Sequence, residues 1–496
     1  MGTKMSANLP ITEYEATKHP RKRYQDIGLI LGLVVALLLW MMPIPEGLNQ
    51  AGWSVVILGS LMAIWWATEA IPVPATSLIP IVGLPLFGIT TTKEATYPYA
   101  EPIIFLLLGG FIVAMGMQRW GLHKRIALGI LSKVGGNPLA LIAGFMVASA
   151  VLSMWISNTA TTLMMIPIAL SVSQTVLGNN AKGHRFTICL LLGCAWAASI
   201  GGLGTPIGTP PNAFVVSFIA DQTGRIISFP QWMMLGIPII CVMLPIAWLT
   251  LTKFVFPFDA NATMGGDLVV KKERAALGPI TIEEKRVSII FFIIAAGWVF
   301  QPLLSKLPLL SGLGNTNIAM LGALLMFLTP AGKGKKLFLL DWDYAARLPW
   351  GVIILFGGGL SLAAAVKSTG LALWIGSALS GLGAIPLILL ILIIVTMVLF
   401  LTELTSNTAT TATLVPILAA LATVSNIDPL ILAAPTAMAA SCAFMLPVAT
   451  GPNAVVFASG DVTIPQMAKA GFLLNIFGMF IVTGLCYLLI PIVFAP

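Results

Sequence analysis

The chain has 496 residues, of which 58% are hydrophobic and only 9% are charged, with a mean hydropathy of +0.98. Soluble domains carry about 25% charged residues, so this composition excludes an ordinary soluble protein and indicates a polytopic membrane protein. The net charge of +8 needs no nucleic-acid partner, because basic residues beside anionic lipid headgroups account for it. The five cysteines are scattered singly and the three histidines lie in basic flanks, which argues against a disulfide framework or a metal site.

Eleven membrane-spanning helices are predicted after a cytoplasmic tail over 1–25 that lacks a small-residue cleavage site. A first half is predicted over 26–256, a cytoplasmic linker over 257–286 and a second half over 287–496. The predicted spans are 26–44, 53–70, 74–89, 102–118, 186–205 with a continuation to 220, 231–256, 287–303, 316–330, 350–366, 428–448 with a continuation to 459, and 470–494.

The distribution of Lys and Arg predicts the orientation of these spans. With eleven spans, 22 of the 26 basic residues fall on the side of the N-terminus, and the exceptions are Lys93, Arg225, Lys306 and Lys367. Since positive charge concentrates on the cytoplasmic side, we expect a cytoplasmic N-terminus and an external C-terminus.

The hexapeptide Ser-Asn-Thr-Ala-Thr-Thr occurs twice, at 157–162 and at 406–411, each time within a long apolar stretch. Small hydroxyl and amide residues compete for nearby backbone groups and are poor choices for a helix interior. We therefore predict two re-entrant hairpins, over 138–178 and 385–424, with a hexapeptide at each tip. A chance resemblance of apolar sequences, or a set of proline kinks and packing seams, is the alternative.

A second repeated element follows each hairpin in the same order. Gly-Thr-Pro-Pro-Asn ends at Asn212 and Ala-Thr-Gly-Pro-Asn ends at Asn453, which predicts broken helices around 205–212 and 449–453. The equivalent segments lie five spans apart, and an odd offset inverts one half relative to the other across the membrane. Two inverted repeats with four broken helix ends at the midplane are typical of secondary transporters.

The repeated motifs contain neutral oxygen and N–H groups but no Lys, Arg or His. Helix N-termini attract anions, whereas hydroxyls and carbonyls are hard ligands that suit an alkali cation. A dianion at the membrane midplane is costly unless cations are bound beside it. The motifs therefore predict an anion site completed by sodium.

These motifs resemble the divalent-anion:sodium symporter family, which includes bacterial INDY-type dicarboxylate transporters, over nearly the whole chain from Asp26. The resemblance implies the ion-transporter-superfamily fold and a homodimer that works as an elevator. It implies a substrate site at Ser157, Asn158, Thr159, Thr209, Pro210, Ser406, Asn407, Thr408, Thr450 and Gly451. It also implies a sodium site at Ser153, Ser157, Asn158 and Gly208, and another at Thr402, Ser406, Asn407 and Ala449.

Two details modify what the resemblance implies. Relatives commonly carry two prolines where this chain has Gly451 and Pro452, so Gly451 is expected to loosen that turn. The exchanger branch tends to carry a basic side chain near the motifs, whereas Thr161 and Thr410 are neutral, which favours symport.

The motifs and this resemblance together imply sodium-coupled import of a C4-dicarboxylate (succinate, malate or fumarate) across a bacterial inner membrane, with no cofactor other than the coupling ions. Citrate or another di- or tricarboxylate, sulfate, or exchange in place of symport are the alternatives within this fold. A sodium/proton antiporter would need a titrating carboxylate, and Glu403 is the candidate. Glu69 is more simply explained as a carboxylate bonded to broken backbone. No activated nucleophile or metal-ligand spacing supports an enzyme.

Overall fold

The computed structural model describes residues 22–258, 266–332, 337–378 and 385–495. Regular structure in these ranges is helical, apart from one isolated β-bridge between Pro330 and Phe338. The predicted all-α class is confirmed. The tail predicted over 1–25 lies mostly outside the described residues, as does part of the linker predicted over 257–286.

The α-helices of the described residues are numbered here in chain order. They are α1 (Arg23–Met41), α2 (Gln50–Thr68), α3 (Val73–Thr76), α4 (Ile79–Leu86), α5 (Thr92–Thr96), α6 (Pro102–Arg119), α7 (Leu122–Leu131), α8 (Pro138–Ser153), α9 (Asn158–Leu177), α10 (Arg185–Gly201), α11 (Pro210–Thr223), α12 (Phe229–Leu249), α13 (Gly266–Ala276), α14 (Ile282–Leu304), α15 (Asn315–Leu328), α16 (Trp342–Ala345), α17 (Trp350–Ser368), α18 (Leu371–Ala378), α19 (Leu387–Leu401), α20 (Asn407–Val424), α21 (Pro429–Ala440), α22 (Gly451–Ala458) and α23 (Ile464–Val493).

Local sequence signals determine where the long helices begin. Proline occupies the first turn of α6, α8, α11, α21 and α22. Its missing N–H costs nothing there, because a backbone N–H in the first turn has no partner within the helix. Reciprocal capping boxes begin α12, α14 and α23, because Ser228, Thr281 and Thr463 each bond a Gln or Glu three residues later.

Two runs of helices have the same order of elements. Each run has a long helix, a short helix, a helical hairpin, a broken helix and a final long helix. The first run is α6 to α12 and the second is α17 to α23. This correspondence matches the repeat seen in the sequence, with α8–α9 and α19–α20 as the hairpins and α10–α11 and α21–α22 as the broken helices.

The centre of the molecule is built around the broken helices. The 18-residue apolar window within Arg185–Gly204, which consists of α10 and the short 3-10 helix after it, is buried in full, whereas α1 is mostly exposed at the periphery. The second half of each broken helix packs against the hairpin of the other repeat, since α11 packs against α20 and α22 packs against α9. This crossing brings all four interrupted helices to one place.

The lengths of the helices differ from the predicted spans at several points. Ten helices of the described residues are long and apolar enough to cross a membrane, and they include α9 and α20 of the hairpins. The spans predicted over 74–89, 316–330 and 428–448 are instead short apolar helices. α4 contains Pro85 and ends one residue later, where the Phe87 N–H bonds the Gly83 carbonyl. α21 ends at Ala440, and the chain after it is not helical.

The linker between the halves contains a helix that the sequence did not predict. α13 packs against α7 and α9, with Val269 and Val270 buried. Arg125 on α7 forms an ion pair with Glu284 at 2.9 Å and donates to the carbonyls of Gly278 and its two neighbours. The linker is therefore bonded to α7, the short helix that precedes the first hairpin.

Candidate functional site

Both hexapeptides begin a helix. In the first hairpin the chain unwinds over 154–157 and α9 starts at Asn158, with the Ser157 hydroxyl accepting a hydrogen bond from the Ala160 N–H at 3.3 Å. In the second, α20 starts at Asn407, and Ser406 makes no such capping bond. The free N–H groups of both helix starts are therefore at the hairpin tips, as predicted for an anion site.

The first predicted cation site is a cluster of oxygen atoms. The Ser153 hydroxyl donates to Asn158 Oδ1 at 2.5 Å across the unwound tip. A methyl group built on Gly202 would lie 2.8 Å from Asn158 Oδ1 and 3.1 Å from the Gly208 carbonyl oxygen, so these two oxygens lie close to one point. Hydroxyl, amide and backbone oxygens of this kind suit a hard cation.

The second repeat has the same arrangement. The Thr402 hydroxyl lies 2.6 Å from Asn407 Oδ1 and 2.9 Å from the Ala440 carbonyl oxygen, where α21 ends, and it can donate its one proton to either acceptor. Ser153 and Thr402 both lie one turn before their hexapeptide and are fully buried. The two candidate cation sites are therefore equivalent positions in the two repeats.

The broken helices are held open by two asparagines whose structural role the sequence did not reveal. Asn212 Nδ2 donates to the carbonyls of Gly202 and Thr205, both at 2.9 Å. Asn453 Nδ2 donates to Ala443 and Leu446 at 3.2 and 3.0 Å. Each amide thus bonds carbonyls that the unwinding of its helix has freed.

The two threonines at the starts of α11 and α22 differ. Thr450 caps α22, because its hydroxyl accepts from the Asn453 N–H at 3.2 Å. Thr209 makes no capping bond to α11, and its hydroxyl lies 3.3 Å from the Ser441 hydroxyl. Thr209 therefore links the first repeat to the unwound segment of the second.

All these broken ends line one cavity with a volume of about 910 Å³. Its walls include every predicted substrate residue and most of the predicted sodium ligands, whereas Ser153 and Thr402 lie behind Asn158 and Asn407. The lining residues from the repeated motifs are Ser157, Asn158, Thr159, Gly208, Thr209, Pro210, Pro211, Ser406, Asn407, Thr408, Ala449, Thr450, Gly451 and Pro452.

Charged residues occur at one end of the cavity. Lys22 and Glu69 contribute to its lining where α1 begins and α2 ends, together with Pro349 before α17. Glu69 has φ +47°, a left-handed conformation that is uncommon for a residue other than glycine, and it ends α2. The lining contributed by the repeated motifs is neutral, and the exposed end at Lys22 and Glu69, here called the mouth, carries both signs of charge.

Gly451 lies where the two repeats touch. A methyl group built on this residue would lie 2.1 Å from the Thr159 hydroxyl oxygen, which is inside contact distance. The sequence suggested that Gly451 loosens the turn. The loosening stays a prediction, and in the structure the missing side chain allows α22 to approach the tip of the first hairpin.

The aromatic residue Trp155, at the tip of the first hairpin, joins a cluster that the sequence did not predict. Its ring stacks on Phe229 of α12 at 6.0 Å between centroids and on Trp298 of α14 at 6.3 Å. Phe229 and Trp298 stack on each other at 4.9 Å. The tip therefore rests against a helix outside its own repeat.

Glu403 points away from the cavity. It is 3% exposed, and its carboxylate accepts hydrogen bonds from the backbone N–H groups of 444–446 and from Asn475. Glu403 is absent from the cavity lining, so its carboxylate does not contact a ligand bound in the cavity. In the described ranges, no three His, Cys, Asp or Glu side chains lie close enough to hold a metal ion.

Comparison with known proteins identifies the family. Residues 24–494 match the model of the sodium:sulfate symporter transmembrane region. The sodium-dependent dicarboxylate transporter SdcS of Staphylococcus aureus strain MRSA252 is 43% identical over 484 residues, covering 96% of this chain and 93% of the relative, and SdcS of strain NCTC 8325 gives the same values.

One solved structure supports the fold alone. The YdaH transporter of Alcanivorax borkumensis is similar with a TM-score of 0.56 and 14% sequence identity, covering 90% of this chain and 99% of that one. The likeness in sequence to SdcS and the match along almost the whole chain agree with the resemblance drawn from the paired hexapeptides. The chain belongs to the sodium:sulfate symporter family, and its predicted place among the divalent-anion:sodium symporters is confirmed.

Proposed function

We propose that this protein imports a C4-dicarboxylate such as succinate, malate or fumarate together with sodium. The convergence of both hexapeptides and both broken helices on one neutral cavity carries this proposal. The relatives that are 43% identical are sodium-dependent dicarboxylate transporters, which supports both the ion and the substrate class.

The hairpin tips are the proposed carboxylate-binding groups. A dicarboxylate has two anionic ends, and the cavity has two equivalent tips, at Ser157–Thr159 and at Ser406–Thr408. Each tip offers the N–H groups of a helix start and short hydroxyl and amide side chains. Thr209, Pro210, Thr450 and Gly451 border the same space and limit the length of the substrate.

Sodium is the proposed coupling ion, bound in the first site by Ser153, Ser157, Asn158 and Gly208. The second site consists of Thr402, Ser406, Asn407 and Ala449. Because no cationic side chain from the motifs enters the cavity, the charge of the bound dianion is compensated by these ions. Substrate and sodium then bind well only together, which is the basis of symport.

Alternating access is proposed to occur by an elevator movement in a homodimer of a bacterial inner membrane. The distribution of basic residues supports a cytoplasmic N-terminus. Lys22 and Glu69 at the mouth of the cavity are on that same side, so the described conformation would face the cytoplasm. A sodium/proton antiporter is less well supported, because Glu403 lies outside the cavity.

The test is uptake of radiolabelled succinate into proteoliposomes under an inward sodium gradient, with potassium in the matched control. Accumulation that requires sodium and is competed by malate and fumarate is the expected result. Stronger competition by citrate or sulfate would reassign the substrate. Uptake that ignores sodium and requires internal dicarboxylate would replace symport by exchange and remove both cation sites.

A further inference from the structure

Glu403 is a buried carboxylate that no step of the proposed transport cycle uses. Its Oε1 accepts from the Phe444 N–H at 2.7 Å and from Asn475 Nδ2 at 2.7 Å. Its Oε2 accepts from the N–H groups of Met445 and Leu446 at 3.1 and 3.2 Å. All of these residues belong to the unwound segment after α21 or to α23.

The hydrogen bonds indicate that this carboxylate is ionised. Every partner of both oxygens is an N–H donor, and a protonated carboxyl group would need an acceptor for its own proton. Within the part of the chain that the structure describes, no Lys or Arg forms an ion pair with Glu403. A full negative charge is therefore held inside the second repeat by dipoles alone.

The first repeat has no such charge. Gly236 and Gly471 occupy equivalent places, because a methyl group on either would lie 2.4 Å from a carbonyl oxygen of the unwound segment, Leu203 or Phe444. Met154 and Glu403 each lie three residues before their hexapeptide, and Ile240 and Asn475 each lie four residues after these glycines. Met154 therefore corresponds to Glu403, and Ile240 to Asn475. A methyl group on Gly204 would meet the Met154 and Ile240 side chains at 3.0 and 2.8 Å, so apolar contacts take the place of the polar ones.

The backbone explains why only the second repeat needs a carboxylate. In the first repeat α10 continues as a 3-10 helix over Gly202–Gly204, which gives its N–H groups carbonyl partners. In the second repeat α21 ends at Ala440 without such a continuation. The freed N–H groups of 444–446 would be buried and unpaired without Glu403.

We propose that Glu403 is a positioning residue for the second sodium site and that its negative charge strengthens sodium binding there. This inference rests on the proposed function, because it assumes that Thr402 and Asn407 hold sodium. Glu403 adjoins Thr402 in the chain and fixes the segment that runs from the Ala440 carbonyl to Ala449. A cation bound there compensates a buried charge that is present before any substrate arrives.

The experiment compares purified wild type with Glu403→Gln, which keeps the size of the side chain but removes its charge. Sodium binding is followed without substrate, as the rise in melting temperature during a sodium chloride titration against matched choline chloride. Succinate uptake in proteoliposomes is measured in parallel as a function of sodium. Glu94→Gln, an exposed carboxylate that caps α5, is the matched control.

Glu403→Gln is expected to raise the sodium concentration for half-maximal stabilisation and for half-maximal uptake about tenfold, because a charge-assisted interaction is lost. At saturating sodium the KM for succinate is expected to return to near the wild-type value. Glu94→Gln is expected to match wild type. A lower maximal rate with unchanged sodium dependence would overturn the inference, since a purely structural role predicts that result.

Asn475→Leu provides a second variant if Glu403→Gln does not fold. It removes one of the four donor groups and leaves the carboxylate in place, so the half-saturating sodium concentration is expected to shift about threefold. An unchanged sodium dependence in this variant would also overturn the inference. If wild type itself does not accumulate succinate with sodium, that result contradicts the proposed function. A contradiction of the inference about Glu403 would instead appear as an unchanged sodium dependence in the variants.

Discussion

Asn158 and Asn407 each accept a hydrogen bond on Oδ1 from a hydroxyl five residues earlier, at 2.5 and 2.6 Å. Replacing either with alanine removes one oxygen from a proposed sodium site. We expect Asn158→Ala and Asn407→Ala to raise both the half-saturating sodium concentration and the KM for succinate about tenfold, which corresponds to the loss of one good interaction. Uptake in proteoliposomes measures both quantities.

Asn179→Ala serves as the control for these variants, because Asn179 is exposed and lies outside the cavity. It should match wild type. A higher KM for succinate with sodium dependence untouched in Asn158→Ala and Asn407→Ala would argue against ligands shared by ion and substrate.

Gly451 offers a test of the contact between the repeats. Gly451→Ala would place a methyl group 2.1 Å from the Thr159 hydroxyl oxygen, so α22 or the hairpin tip must shift. We expect a loss of succinate uptake of at least about tenfold, since forcing an extra methyl group into a well-packed site destabilises it by about 1–3 kcal/mol. The measurement is the initial rate of sodium-driven uptake.

The double variant Gly451→Ala with Thr159→Ala separates crowding from other causes. Removing the hydroxyl relieves the shortest contact, so the double variant should transport better than expected from the two single variants added together. Strict additivity would show that the close approach at Gly451 does not control the site.

At this scale the sequence predicted the residues of the cavity but not the bonds behind them. The duplication singled out Ser157, Asn158, Ser406 and Asn407, because polar residues repeated inside apolar helices have few structural explanations. The side chains of Asn212 and Asn453 fold back onto broken backbone, and a helix-starting motif gives no sign of this. Contacts between distant segments, such as Glu403 with 444–446, leave no local pattern.

Among the elements, the linker helix α13 shows most clearly that tertiary contacts can support a helix that the composition does not predict. Its sequence is charged, and the sequence predicts only a cytoplasmic linker in this part of the chain; the helix buries two valines. Its helical structure is supported by packing on α7 and α9. The hairpins behave in the opposite way, because their breaks coincide with local signals at Ser157 and Ser406 that the sequence displays.

The attachment of the linker provides a prediction about stability. Arg125 bonds the Glu284 carboxylate and three backbone carbonyls, and Glu284 also caps α14. Arg125→Ala leaves these acceptors without a partner, and we expect a loss of about 2 kcal/mol. Thermal unfolding of the purified protein in detergent measures the change as a lower melting temperature.

Lys271→Ala is the matched control, since Lys271 forms an exposed ion pair with Asp267 within α13 at 2.8 Å. Exposed pairs of this spacing contribute only about 0.3–0.5 kcal/mol, so its melting temperature should remain close to that of wild type. Equal effects of the two variants would show that Arg125 does not secure the linker.

For the whole molecule, the position of the cavity mouth predicts which side of the membrane reaches the site. The mouth lies at the end of the bundle where α1 begins and α2 ends. If the N-terminus is cytoplasmic, a cysteine at Glu69→Cys should react with a membrane-impermeant maleimide in inside-out vesicles and not in right-side-out vesicles. The background is Cys241→Ser, because the other four cysteines are buried.

Glu94→Cys, in the exposed α5 that follows α4, should show the reverse pattern, since the distribution of basic residues places it outside. Labelling of both cysteines from the same side would contradict the predicted orientation. Labelling at residue 69 from outside alone would invert it.

The stack of Trp155, Phe229 and Trp298 has a consequence for the rate of transport. Any movement of the first hairpin relative to α14 must separate rings whose contacts are each worth about 0.5–1.5 kcal/mol beyond their burial. None of these three rings lines the cavity, so their separation is expected to raise the barrier between conformations and to leave substrate affinity unchanged. Smaller side chains at Trp298 should therefore give a transporter that turns over faster in the cold and depends less steeply on temperature.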